Sequence, residues 1–140
     1  VQEAIRVNPK ESMFFDNLRR VYKKMGDPSL IVADYNYYLE QGGPFELIKN
    51  YGLAASRNIR QNSFRLYSEG HLDKAIAKWM DIEKIYKKIN HQNGLVPVYF
   101  SLGLLHEEKG DTQNAKKYFN RVLKLNPMHI QAKEKASSIR

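Results

Sequence analysis

The stretch from Val96 to His129, VPVYFSLGLLHEEKGDTQNAKKYFNRVLKLNPMH, constrains this chain more than any other, because it spells two short amphipathic helices joined by a tight turn. Tyr99, Leu102, Gly103 and His106 recur at three- and four-residue steps and so share one helical face. Gly110 can adopt the left-handed conformation that closes a helix, and Asp111 or Thr112 can accept the orphan amide protons that open the next one. Ala115, Tyr118, Phe119, Val122, Leu123 and Leu125 form a second stripe, which ends where Pro127 stands. Two helices of about a dozen residues cannot bury both stripes alone, so stacked neighbours are required.

With Leu102-Gly103, Gly110-Asp111, Ala115, Phe119 and Pro127 in this order inside a unit of about 34 residues, the stretch resembles a tetratricopeptide repeat. The resemblance implies an all-α fold, a right-handed superhelical stack of antiparallel helix pairs of the tetratricopeptide-like α-solenoid type. Gly103 and Ala115 would be the small residues where paired helices approach, with Phe119 filling the groove beside them. His106 stands where the family has tyrosine, and Val122 where it has alanine.

The rest of the chain echoes this unit. VQEAIRVNP at the start matches NRVLKLNP at residues 120–127, so residues 1–11 are expected to end a preceding repeat and the chain to be a piece of a longer array or a processed product. Residues 12–55 read as a repeat with an extension: Phe15, Leu18, Val21 and Tyr22 keep helical spacing, Gly26-Asp27 repeats the turn, and Leu30 to Leu39 runs to a stop at Gly42-Gly43. One long helix is expected from about Pro44 to Ser68. Its first half is an extension or a separate short helix broken at Gly52, since a glycine there costs only about 1 kcal/mol. Residues 56–95 form a lengthened repeat, in which Ala75 and Trp79 stand in for Ala115 and Phe119 and Asn90 to Gly94 close the second helix. Residues 130–140 read as a cap helix with Ala136 and Ile139 turned inward, or as a further repeat cut short.

Catalytic constellations are missing from this pattern. The chain has no cysteine, which removes disulfides, thiolate metal sites and cysteine nucleophiles together. Its histidines at 71, 91, 106 and 129 show no pair at the spacing of helical metal sites, and Glu83, Glu107 and Glu108 come without a nucleophile motif or a phosphate loop. The expectation is a protein that is not an enzyme and takes no cofactor, metal or small-molecule substrate. Trp79 aligns with the packing stripe and is expected in the core; Tyr35 follows the stripe, whereas Tyr37 projects elsewhere. No run approaches the about 18 apolar residues of a membrane span.

In the family that this chain resembles, the first helix of each pair lines a concave groove. The residues turned away from the second helix are Met13, Asp16, Asn17, Arg20 and Lys24, then Arg57, Arg60, Gln61 and Phe64, then Phe100, Ser101, Leu104 and Glu108. Such a groove would be basic and polar at one end, aromatic in the middle and acidic at the other, and would suit an extended peptide or an amphipathic helix. Some members clamp a peptide's terminal carboxylate. Here Asn17 matches the clamp asparagine and Arg57 takes a lysine's place, but Gln61 stands where arginine is wanted. The expected function is a protein-interaction scaffold. A formal charge of +8 favours acidic partners, although solvated helix lysines account for it as simply. The alternatives are a recruiting arm of a larger enzyme and, ranked below it, a basic nucleic-acid-binding repeat; array ends are open to self-association.

Overall fold

The computed structural model describes Val21, residues 30–42 and residues 44–139. Among these residues the regular structure is helical throughout: α1 (Leu30–Gln41), α2 (Phe45–Ser68), α3 (Leu72–Lys88), α4 (Gln92–Lys109), α5 (Thr112–Leu125) and α6 (Ile130–Ser138). The chain divides into two compact units, Val1–Gln61 and Asn62–Arg140. The expected repeat end at residues 1–11 and the first helix of the following hairpin, Val21 apart, lie outside the described residues.

In the first unit, Ile31, Tyr35 and Tyr38 are the buried face of α1, at the steps of four and three that one helical face requires. Tyr38 stacks on Tyr51 of α2 with ring centroids 5.2 Å apart, while Tyr37 is exposed and meets Tyr38 edge-on. α2 runs through Gly52 unbroken, so the long-helix expectation holds over its whole length, and Ser56 Oγ donates to the Gly52 carbonyl one turn back. Leu47, Tyr51, Ala54, Ala55 and Ile59 supply its buried stripe in this unit.

The second unit stacks consecutive helices: α3 on α4, α4 on α5, α5 on α6. Its best-packed joint is the one the sequence singled out. Phe119 is 0% exposed, and a Cβ added to Gly103 would lie 2.5 Å from its ring, so only glycine fits opposite that phenylalanine. Ala115, Leu102 and Val122 are likewise fully buried, and each large apolar side chain removed from water contributes roughly 1.5–3 kcal/mol. Tyr118 stacks on Tyr99 at 6.0 Å and on His106 at 5.5 Å, which extends the same face along both helices. Leu125, counted in the stripe, is exposed at the end of α5. On the far side of α4, buried Glu83 of α3 pairs with Lys87 at 3.2 Å and lies 3.7 Å from Arg121 of α5, whose guanidinium rests over the Tyr99 and Tyr118 rings.

The turns reuse one device. At Gly110 (φ 90°) the amide donates to the Glu107 carbonyl and the next amide to His106, a pair of bonds that satisfies two orphan carbonyls, and Asp111 then caps α5 by accepting from the Asn114 amide. The same pair closes α3 at Asn90, a non-glycine residue with left-handed φ. This corrects the loop expected over residues 90–94: Asn90 and His91 complete the turn, so α4 begins at Gln92. Gly94 is therefore inside a helix, where any side chain would collide with His91 and Tyr86. In α6 the buried residue is Ala132, with Ala136 and Ile139 half-buried, because His129 Nδ1 accepts from the Ala132 amide and sets where the helix starts.

Candidate functional site

Ser63, Phe64 and Tyr67 on α2, and Ser101, Leu104, Leu105 and Glu108 on α4, stand three and four residues apart and so project from one face of each helix. With Trp79 of α3 they line a cavity of about 220 Å³. Ser63 is completely buried and donates to the Ala75 carbonyl at 3.2 Å, which holds α2 against α3 and commits its hydroxyl. Phe64 meets Trp79 edge-to-face at 5.9 Å. Two serines therefore occupy positions on packed faces that carry large side chains elsewhere, and the volume they leave is open. Phe64 is 58% exposed, Tyr67 44% and Leu104 40%, whereas Trp79 and Leu105 are buried beside them. An apolar recess ringed by exposed apolar side chains is the kind of surface that a monomer in water rarely leaves uncovered.

The recess has one charged group. Tyr67 donates its hydroxyl to Glu108 Oε2 at 2.8 Å, across from α2 to α4. That hydrogen bond, and behind it the carboxylate's charge, hold the Tyr67 phenol above its usual range. The neighbouring ions are already matched: Lys109 with Asp73 at 2.7 Å, Arg65 with Glu69 at 2.9 Å, and Glu107 with Lys135 at 2.7 Å. Among the described residues, Glu108 has no cation within ion-pair distance.

Three of the four histidines are engaged in packing and capping. His106 stacks on Tyr118, His91 meets Tyr86 edge-on at 4.8 Å, and His129 caps α6. Burial pushes the His106 imidazole below its usual range, and the Asp111 carboxylate, 3.5 Å away, opposes that shift only in part. Among the described residues no three histidine or acidic side chains converge as a metal site, and no helix is long and apolar enough to cross a membrane.

Residues 96–129, which span α4 from its second turn through α5 to the start of α6, match the tetratricopeptide repeat family. This segment is a tetratricopeptide repeat. No curated protein matches the chain. Tetratricopeptide repeats generally mediate protein–protein interaction and are typically non-catalytic modules, which implies protein partners.

Of the groove residues expected from sequence, the structure brings Phe64, Ser101, Leu104 and Glu108 together around the cavity beside the tetratricopeptide repeat. Phe100 is turned elsewhere: its ring lies 5.6 Å from Phe119 and 5.0 Å from His129, because those aromatics offer it a packed surface. Arg57 is half-buried and Arg60 and Gln61 are exposed on the part of α2 that belongs to the first unit. Met13, Asp16, Asn17, Arg20 and Lys24 lie outside the described residues. Sequence reasoning missed Ser63, Tyr67, Trp79 and Leu105 as cavity residues; the available signal was a serine on each of two facing stripes, opposite a tryptophan.

Proposed function

We propose that this protein is a non-catalytic interaction module whose cavity between α2, α3 and α4 receives a bulky apolar side chain from a partner's peptide or helical segment. The observation that carries the reading is the apolar recess floored by Trp79 and rimmed by exposed Phe64, Tyr67 and Leu104. Its volume falls below the roughly 300–1,000 Å³ of small-molecule sites, which suits an anchor side chain better than a metabolite. Anchors of this kind dominate the binding of helices and extended segments to grooves.

Trp79 is the only tryptophan in the chain, so its fluorescence reports on the recess directly. Peptides selected for binding from a random display library should contain one large aliphatic or aromatic residue whose replacement by alanine removes binding and the accompanying change in Trp79 emission. Leu104→Asp should weaken the same peptides by about tenfold or more while leaving the helical circular dichroism intact. A library that yields no binder, or binders indifferent to Leu104→Asp, would overturn the proposal.

A further inference from the structure

We infer that the segment received by this cavity carries a lysine or arginine beside its apolar anchor, paired with Glu108. The inference rests on the reading of the cavity as an anchor site and adds to it the chemistry of the partner. It starts from a contrast between the whole chain and this one place. The chain is strongly cationic, with 23 lysines and arginines against 15 acidic residues, yet the charged side chain lining the recess is a carboxylate. Two cations on the same helices are already paired with other carboxylates, since Lys109 reaches Asp73 and Arg65 reaches Glu69.

Glu108 is also held in position. Tyr67 takes up one of its oxygens at 2.8 Å, which orients the carboxylate across the mouth of the cavity. A carboxylate has about four lone-pair sites, so most of its accepting capacity still faces outward. While the recess is open, water fills that role. Once an apolar side chain covers Phe64, Tyr67 and Leu104, the water is displaced, and a carboxylate left without a partner in a drier surrounding is unfavourable. A cation on the incoming segment removes that penalty, whereas an acidic residue there doubles it, so the site selects by rejection as well as by attraction. The chain's positive surface does not override this preference. At physiological ionic strength the screening length is about 8 Å, and the carboxylate is at the site itself.

The test compares three peptides with the same apolar anchor and a lysine, a glutamate or a neutral residue beside it. Each is titrated into the full chain at physiological salt and followed by Trp79 emission. The lysine peptide should bind about tenfold more tightly than the glutamate peptide, the discrimination one partly desolvated pair supplies. Glu108→Gln, which keeps an acceptor for Tyr67, should bring the two within about twofold, and Glu108→Lys should reverse the order. Equal binding of the lysine and glutamate peptides, or a preference that survives Glu108→Gln, overturns this inference while the anchor reading stands. Failure of all three peptides overturns the anchor reading and the inference with it.

Discussion

Helix α4 is packed in two different ways on its two sides, and the difference separates what holds this protein together from what is left free to bind. Toward α5 it presents Tyr99, Leu102, Gly103 and His106, and the space is filled until a hydrogen on Gly103 is all that fits against Phe119. Toward α2 and α3 it presents Ser101, Leu104, Leu105 and Glu108, and the space stays open. Both faces arise from the same three- and four-residue spacing. What differs is side-chain size at the facing positions: an aromatic ring opposed by glycine on one side, serines opposed to a tryptophan on the other.

The sharpest way to break the comparison is to empty the filled side. Phe119→Ala removes a ring that is completely out of water and should cost about 3–5 kcal/mol, measured as a shift in the denaturation midpoint. Against a total of about 5–15 kcal/mol for a domain, that brings the fold near its limit. Overfilling the same joint is the next largest effect. Gly103→Val places its Cβ 2.5 Å from a ring with no room to retreat and should cost about 2–3 kcal/mol. Pairing Gly103→Val with Phe119→Leu should cost less than the two single changes together, because the smaller side chain yields the space; strict additivity would show that the two residues do not share this joint.

These two residues also mark what the sequence made legible. Gly103, Ala115 and Phe119 could be placed because their order and spacing resemble a tetratricopeptide repeat, and that resemblance implies where the paired helices approach. The turn at Gly110 was legible in the residues themselves, since a left-handed residue after an apolar stripe has one common use. The turn at Asn90 was not. Asn-His-Gln-Asn-Gly reads as one polar loop, and nothing local shows that asparagine makes the turn while Gly94 is kept small by Tyr86 and His91 from outside its own segment. The cavity was half legible. Periodicity says which residues share a face, so Ser101, Leu104 and Glu108 fell together, but it cannot say whether a face is covered. Phe100 was therefore counted into the groove although Phe119 and His129 hold it.

A smaller effect tests the filled side by pH. Burial lowers the His106 pKa from its ordinary 6.5, so the folded state holds that proton less firmly than the unfolded chain. Stability from this residue is fully present above pH 6.5 and is lost as the pH falls from there through the lowered folded value, the direction linkage requires when the unfolded state binds more protons. Asp111, which faces it, has its carboxyl lowered by the Asn114 side-chain and backbone hydrogen bonds, so its own contribution is lost only as the pH falls from the ordinary 3.8 through the lowered folded value. His106→Tyr, which restores the residue of the family pattern, should flatten the slope of stability just below pH 6.5 in chemical denaturation. An unchanged slope would place the acid sensitivity elsewhere.

The smallest effect on folding belongs to the open side, and it decides whether the two faces differ in kind. Leu104 is 40% exposed and borders a void, so replacing it removes few contacts and leaves no sealed cavity behind. Leu104→Ser should therefore change stability by no more than about 0.5 kcal/mol, the range of surface substitutions away from packed features. The same side chain supplies part of the apolar rim, so peptide binding should fall about tenfold even though the melting curve barely moves. Phe119→Ala makes the opposite split: a large loss of stability, with binding preserved in whatever fraction remains folded. If Leu104→Ser destabilised the protein by as much as a core truncation, the recess would be a loosely packed part of the core, and α4 would have one structural role on both sides.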